Sequence, residues 1–171
     1  GEYWSPDVNA LLDYRKQSEN KVKLFDVPLH FNFYHCAKSN GTFDMRNMWK
    51  DTLCGRDSEQ NVQFVDNHDT QPGQALESFV MEWFKPLAYA LILLRNDGIP
   101  CVFYGDLYGI PHNGIKPVKG LETLLKIRKD LFEELVYLPI SFFDTHAHGD
   151  IMSRMTNDVD SISNTISTSV A

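Results

Sequence analysis

The residues with the clearest chemical capacity follow a short apolar run near the middle of the chain. The mostly apolar stretch 62–65 leads directly into Asp66, Asn67, His68 and Asp69. Burying two carboxylates and an imidazole costs free energy unless partners or a function hold them in place. A polar loop after an ordinary strand is the plain alternative. The pattern is typical of a buried strand that ends at an active site.

Acidic residues also follow the other strand-like segments. Glu2 stands at the start of the chain, Asp26 at the end of the run 22–27, and Asp106 after the apolar run 99–104. Because the carboxyl ends of parallel strands meet at one face of a barrel, and catalytic groups collect at that face, this arrangement favours a barrel with its active site there.

The elements that must position these residues can be predicted from apolar periodicity. Strands are expected at 22–27, 62–67 and 99–104, the last buried on both faces of a parallel sheet. Helices are expected at 7–20, 45–54, 76–95 with a kink at Pro86, and from Leu121 onward. Strands that alternate with helices indicate the α/β class with a parallel sheet, either doubly wound or a barrel.

Bulk composition limits the class of partner. The chain has 171 residues, of which 43% are hydrophobic and 23% charged, as in a soluble globular domain. Its net charge of -7 argues against nucleic acid or an anionic membrane surface as the main partner, so a neutral substrate fits better. The longest apolar run, 87–94, is far shorter than the roughly 20 residues of a membrane-spanning helix.

The cysteines indicate neither a disulfide framework nor a zinc site. Cys36, Cys54 and Cys101 are an odd number and widely spaced, without a CxxC motif, so buried free thiols are expected. Free thiols favour a cytoplasmic location. The chain opens abruptly at Gly1, as if at the end of a strand, so the lack of a signal peptide says little about its compartment.

Five separate motifs resemble the bacterial liquefying-type α-amylases, which are glycoside hydrolases. They are GEYW at 1–4, FDVPLH at 25–30, FVDNHDTQPG at 64–73, WFKPLAYA at 83–90 and VFYGD at 102–106. The resemblance implies that residues 1–130 are the C-terminal half of a TIM (β/α)8 barrel, from the end of strand 5 through helix 8. It also implies retaining hydrolysis of internal α-1,4-glucosidic bonds in starch, with an α-glucan polysaccharide or maltooligosaccharide as the partner.

The resemblance assigns roles to individual residues. Glu2 matches the acid/base and Asp69 the aspartate that stabilises the transition state, which suits a reaction through an oxocarbenium-like state. His68 matches a sugar-binding histidine, and Gln71 lies in the same motif as a further substrate contact. Trp4 is expected to stack on sugar, although an aromatic residue after a strand can equally be packing. Burial beside its aromatic neighbours would favour the protonated form of Glu2.

Two parts of such an enzyme are expected to lie outside this sequence. In the family the nucleophile aspartate precedes the segment that contains Glu2, and the main calcium ligands also lie upstream. A chain without the nucleophile is expected to show no turnover, because the covalent intermediate cannot form. Half a barrel would also expose strand edges and favour self-association.

The end of the chain resembles a different family. From about residue 128 to 171 it is similar to the cytoplasmic helical extension of a bacterial ABC exporter's membrane subunit. We therefore divide the chain into 1–130 and a helical segment at 131–171, joined by a gene fusion or an assembly artefact. Two alternatives to an amylase fragment stay open: a piece of an ABC exporter, or a non-catalytic glucan-binding remnant that uses Trp4 and His68.

A cluster of possible metal ligands lies in this last segment. Asp144, His146, His148 and Asp150 stand close together in sequence, but nothing nearby would supply the partners that usually orient such ligands. We interpret 145–149 as a turn before an amphipathic helix, and no metal site is predicted.

Overall fold

The computed structural model describes residues 1–57 and 59–137, and side chains as far as residue 133. Its three strands form one parallel sheet in the order β1-β2-β3. Mixed helices and parallel strands confirm the α/β class, whereas the partial TIM barrel stays a prediction. The elements are α1 Val8–Gln17, β1 Leu24–Phe25, α2 Val27–Lys38, α3 Leu53–Arg56, β2 Asn61–Phe64, α4 Lys85–Leu94, β3 Ile99–Cys101, α5 Tyr104–Tyr108 and α6 Leu121–Tyr137.

The first residues of the chain run beside β1. The amino group of Gly1 donates to the carbonyl oxygen of Lys23 at 2.7 Å, and the N–H of Phe25 donates to that of Gly1 at 3.4 Å. Residues 1–5 themselves form no strand, so the strand end predicted there stays a prediction, but this pairing lies along β1. It places Glu2 at the carboxyl edge of the sheet.

The first helix is confirmed as α1. Asp7 caps its amino end by accepting from the N–H of Asn9 at 2.9 Å, and Val8 and Leu11 are buried. A capping aspartate followed by an apolar stripe is a strong local signal for a helix.

The predicted strand at 22–27 was too long, and the helix that follows it was missed. β1 ends at Phe25 and α2 begins at Val27, because Asp26 caps the helix by accepting from the N–H of Leu29 at 3.2 Å. Pro28 lies in the first helical turn, where its missing N–H would have had no partner in the helix.

The helix predicted at 45–54 was also wrong. A single 3-10 turn covers Met45–Asn47, and α3 covers only Leu53–Arg56. Asp51 between them has φ of 55°, a left-handed conformation that interrupts a helix. Thr52 then caps α3 by accepting from the N–H of Gly55 at 2.9 Å.

The long helix predicted at 76–95 is half as long as expected. α4 begins at Lys85, and Pro86 lies in its first turn instead of producing a kink. Residues 76–84 form turns and extended backbone, yet Val80 and Phe84 are fully buried. The apolar residues of this stretch therefore belong to a buried loop, which periodicity alone does not distinguish from a helix.

The other two strands are shorter than predicted. β2 ends at Phe64, so the acidic residues after it belong to a loop. β3 covers three residues and was wrongly expected to be fully buried, since Ile99 is 43% exposed. In the described part of the chain β3 is an outer strand, which accounts for this exposure.

The last described helix, α6, packs on α4 through its first half. Leu121 is buried, and the guanidinium of Arg128 donates to the carbonyl oxygen of Leu93 in α4. Farther along, Leu131 is 41% and Phe132 67% exposed. Among residues 1–57 and 59–137, no helix combines the length and apolarity that crossing a membrane requires.

Candidate active site

A small cleft of about 80 Å³ opens at the carboxyl end of β1 and β2. Three of the five predicted site residues, Glu2, Trp4 and Asp69, line it together. The remaining lining residues are Tyr3, Phe25, Val27, Asn67 and Leu76. The fold therefore brings Glu2 and Asp69, which are far apart in sequence, to one cleft.

Glu2 is exposed, so the expected burial beside its aromatic neighbours was wrong. Tyr3, which follows it, turns away to stack on Tyr14, with ring centroids 4.6 Å apart and planes 10° apart. The carboxyl group of Glu2 consequently meets solvent at the mouth of the cleft.

Trp4 combines packing with a place in the cleft. Its ring centroid lies 5.8 Å from that of His30 and 6.1 Å from those of Phe31 and Phe64. These aromatic contacts fix the ring, and its remaining surface faces the cleft. A ring held rigidly in this way loses little conformational entropy when a ligand stacks on it.

His68 and Asp69 lie side by side on the loop after β2. The Nε2 atom of His68 is 3.5 Å from Oδ1 of Asp69, and their side chains are 71% and 45% exposed. Asn67 shapes this loop, because its Oδ1 accepts from the N–H groups of both Asp69 and Thr70 at 3.0 Å. Such a side-chain turn is a common use of asparagine.

Gln71 lies behind the loop. It is 3% exposed, and its amide donates to the carbonyl oxygen of Asn67 at 3.0 Å. Its side chain therefore contacts the loop from inside the protein, while Asp69 faces the cleft.

Beneath the loop lies a buried network that the sequence did not reveal. Asp66 accepts from the hydroxyl of Thr70 at 2.9 Å and from the N–H of Val80 at 3.2 Å. The Nζ atom of Lys85 is 2.9 Å from Asp66 and also contacts Asp106. Asp66 and Asp106 were noted as acidic residues after strands, but Lys85 was hidden within an apolar run.

Two further buried groups complete this network. The hydroxyl of Tyr89 donates to Asp106 at 2.7 Å. Nδ1 of His30 donates to the carbonyl oxygen of Val65 at 2.6 Å. Its Nε2 lies 2.8 Å from the hydroxyl oxygen of Ser78, which also contacts the carbonyl oxygen of Leu76 at 2.8 Å. Neither Tyr89 nor His30 was predicted, since lone polar residues in apolar segments give no signal in one sequence.

Burial dominates the ionisation of this network. It raises the pKa of Asp66 to about 7, although Lys85 opposes the shift. It lowers the pKa of His30 to about 4, so this imidazole is neutral at physiological pH. Burial alone would lower the pKa of Lys85, but Asp66 and Asp106 outweigh it and raise that pKa.

Asp26 has a purely structural set of partners. Besides capping α2, its carboxylate accepts from the N–H groups of Leu53 at 3.0 Å and Cys54 at 2.7 Å. It thereby joins α2 to α3 beneath the cleft. Burial raises the pKa of Asp26, and these backbone hydrogen bonds oppose that shift.

The described residues offer no metal centre. Within 1–57 and 59–137, no group of three or more His, Cys, Asp and Glu side chains is arranged to hold a metal ion. The possible ligands at 144–150 lie outside the described residues. The three cysteines are free, with Cys36 and Cys54 buried as predicted and Cys101 half-buried, and burial raises the pKa of Cys36 to about 11.

Comparison with known proteins supports the resemblance of the larger part of the chain. It is 54% identical over 131 residues to an α-amylase of Geobacillus stearothermophilus, across 76% of this chain and 24% of that protein. It is 49% identical over 129 residues to a glucan 1,4-alpha-maltohexaosidase of Bacillus sp. (strain 707), across 75% of this chain and 25% of that protein. The chain thus spans about a quarter of the length of these relatives.

The end of the chain matches a different kind of protein. Residues 120–171 match the family described as ABC transporter transmembrane region. YfiC of Bacillus subtilis (strain 168), an uncharacterized ABC transporter ATP-binding protein, is 50% identical over 48 residues, across 28% of this chain and 8% of that protein. The larger part of the chain is therefore similar to bacterial α-amylases, and its last part is similar to ABC transporter membrane regions.

Proposed function

We propose that residues 1–130 are part of a glycoside hydrolase of the α-amylase type and form one side of its glucan-binding site. The observation that carries the proposal is the cleft that Glu2, Trp4 and Asp69 line together. The names of the relatives support the substrate class, since they are an α-amylase and a glucan 1,4-alpha-maltohexaosidase. The site belongs to the carboxyl end of a parallel sheet, which suits a TIM barrel.

In this proposal each carboxylate has one role in a retaining reaction. Glu2 protonates the leaving oxygen and later activates water, and its position at the cleft mouth gives it access to both. Asp69 places negative charge beside the oxocarbenium-like sugar ring. The resemblance puts the nucleophile before Glu2, so residues 1–171 alone are expected to bind glucan without hydrolysing it.

The sugar contacts divide into direct and indirect ones. Trp4 offers a fixed aromatic surface, and His68 offers ring nitrogens next to Asp69. Gln71 supports substrate binding through the loop that its amide holds. A maltooligosaccharide or a stretch of an α-glucan polysaccharide fits these aromatic and polar contacts.

The proposed half barrel also accounts for two further expectations. An outer strand such as β3, with Ile99 half-exposed, can pair with a second copy of the chain, so self-association is expected. Calcium is expected for amylases of this type, with its main ligands outside this chain. No described residue group fits calcium, and none of the steps above depends on it.

A titration with maltoheptaose tests the proposed function. Tryptophan fluorescence of the full chain should change saturably, and a Trp4→Phe variant should lose most of that change while Trp83→Phe keeps it. Release of reducing sugar should stay at background. A wild-type chain without any saturable change, by fluorescence or calorimetry, would refute glucan binding by this cleft.

A second candidate function is a piece of an ABC transporter's membrane region. The match over residues 120–171 favours it, as do the exposed apolar residues Leu131 and Phe132 in the second half of α6. We treat 131–171 as a segment separate from the glucan site. Truncation after residue 130 should then leave maltoheptaose affinity unchanged, whereas a loss of affinity would show that the two parts act together.

A further inference from the structure

Three charges are sealed beneath the candidate site. Lys85 is 3% exposed, Asp66 is 1% exposed and Asp106 is fully buried, and Lys85 contacts both carboxylates. Apolar residues in place of a buried ion network are often neutral for stability or improve it. Fold stability alone therefore does not explain these charges.

The contacts of Asp66 lead to the loop that carries Asp69. The hydroxyl of Thr70 donates to Asp66 at 2.9 Å and accepts from the N–H of Asn67 at 3.1 Å. Oδ1 of Asn67 in turn accepts from the N–H of Asp69 at 3.0 Å. An unbroken series of polar contacts thus joins the ammonium group of Lys85 to the backbone of Asp69.

The other carboxylate joins the same ammonium group to the end of the next strand. Asp106 lies in α5, directly after β3, and accepts from the hydroxyl of Tyr89 in α4 at 2.7 Å. Its carbonyl oxygen accepts from the N–H of Val118 at 2.7 Å. Lys85 therefore links the segments that follow β2 and β3.

From these contacts we infer that Lys85 is a positioning residue, which fixes the 66–70 loop against α5 and so holds Asp69 at the cleft. The inference rests on the proposed function insofar as it takes the cleft to be the glucan-binding site. Its structural content, a loop ordered by a buried ammonium group, can be measured separately.

Arg15 provides a matched control. It is also a buried cation paired with an aspartate, since it is 5% exposed and its Nη2 is 2.9 Å from Asp57. Asp57 precedes β2 and lies at the opposite end of the sheet from the cleft. Lys85 and Arg15 can therefore each be replaced by methionine, one at each end of the sheet.

Amide hydrogen exchange of the full chain tests the inference. In Lys85→Met, exchange at residues 67–70 should accelerate about tenfold relative to the wild type, and the amides of β2, which exchange through global unfolding, report the accompanying loss of stability. Lys85→Arg keeps the charge and should stay within about threefold of the wild-type rates. Arg15→Met should leave this loop unchanged.

Unchanged exchange at 67–70 in Lys85→Met, or equal acceleration in Arg15→Met, would overturn the inference. If Lys85→Met does not fold, Thr70→Val replaces it, because it keeps all three charges and removes the hydroxyl between Asp66 and Asn67. It should accelerate exchange at 67–69, and unchanged rates there would also overturn the inference.

Affinity for maltoheptaose separates this inference from the proposed function. The dissociation constant should rise about tenfold in Lys85→Met and be restored to within about threefold in Lys85→Arg. A wild-type chain that does not bind would refute the proposed function, and the exchange rates would still decide the role of Lys85. Wild-type binding with unchanged affinity in folded Lys85→Met would overturn the positioning role alone.

Discussion

The two ends of β2 carry buried cations of the same kind in very different settings. At the amino end, Arg15 pairs with Asp57, whose side chain is 35% exposed. At the carboxyl end, Lys85 lies between Asp66 and Asp106, and water reaches none of the three. Water can solvate Asp57 if its partner is lost, but it cannot solvate the two carboxylates at the other end.

This difference separates two uses of buried charge. The amino-end pair joins α1 to the segment before β2 and contacts no cleft residue. The carboxyl-end network is continuous with the loop of Asp69, where the cleft lies. In α/β barrels, features at the amino end of the strands serve stability and those at the carboxyl end serve the active site.

The largest expected effect is the loss of stability in Lys85→Met. Removing the cation leaves Asp66 and Asp106 buried without a counter-charge, which typically costs about 3–5 kcal/mol. Urea unfolding at pH 8, above the pKa of about 7 of Asp66, measures the free energy of unfolding. A loss of stability below about 1 kcal/mol would equal that expected for the amino-end pair, and it would contradict the difference between the two ends of β2.

The next effect is a pair of opposite pH dependences at the carboxyl end. With a folded pKa of about 4, neutral His30 contributes stability that is lost as pH falls below its unfolded value of 6.5. With a folded pKa of about 7, Asp66 contributes stability that is lost as pH rises from its unfolded value of 3.8. Between these values the two contributions nearly cancel.

Single variants should expose each contribution. Between about pH 6.5 and about pH 4.5, Asp66→Asn should lose on the order of 2 kcal/mol on acidification relative to the wild type, because the His30 contribution remains alone. His30→Gln should lose a similar amount of stability as pH rises over the same range, because the Asp66 contribution remains alone. Chemical unfolding at several pH values gives both slopes, and slopes of the same sign would contradict this account of the network.

The amino-end pair should respond to pH in a separate range. Partial burial alone would raise the pKa of Asp57, but the guanidinium of Arg15 and nearby backbone N–H groups hold it below its usual value. Asp57 therefore stabilises the fold above its unfolded pKa of 3.8 and loses this effect only at lower pH. Asp57→Asn should match the pH dependence of the wild type above about pH 5.

A smaller effect is expected for Tyr89→Phe. The change removes one hydrogen bond to Asp106 but leaves Lys85 in place, which should cost about 1–2 kcal/mol. The aromatic packing of the ring is kept. A thermal unfolding midpoint equal to that of the wild type would show that the hydroxyl contributes nothing to the network.

The smallest effect is expected for Arg15→Met. Methionine keeps much of the apolar stem of Arg15, and half-exposed Asp57 can turn to water, so the loss should be below about 1 kcal/mol. The measurement is the same urea unfolding at pH 8. A loss as large as that of Lys85→Met would mean that the two ends of β2 do not differ.

The sequence predicted those features that a few adjacent residues determine. Asp7 and the apolar stripe after it predicted α1, and the mostly apolar run 62–65 predicted β2, although not where it ends. The helix α2 was missed because its start depends on a cap by Asp26, which resembled a strand end. The length of α4 was wrong because residues 76–84 are buried as a loop, which has no periodic signature.

The site itself was predictable only in part. Motif resemblance placed Glu2, Trp4 and Asp69, and the structure brings these three to one cleft. The exposure of Glu2 depends on where Tyr3 turns, and the burial of Gln71 depends on how the loop closes, so neither follows from residue type. Lys85 was missed because its role depends on ion pairs with Asp66 and Asp106, which are distant in sequence.

Backbone chemical-shift mapping during a maltoheptaose titration tests most directly whether the two ends of β2 differ in function. The account predicts that saturable shifts of the amide resonances cluster at Glu2, Trp4 and residues 67–69. It also predicts that Arg15 and Asp57 keep their shifts. Perturbations centred on the amino end, or no saturable perturbation at the cleft, would contradict it.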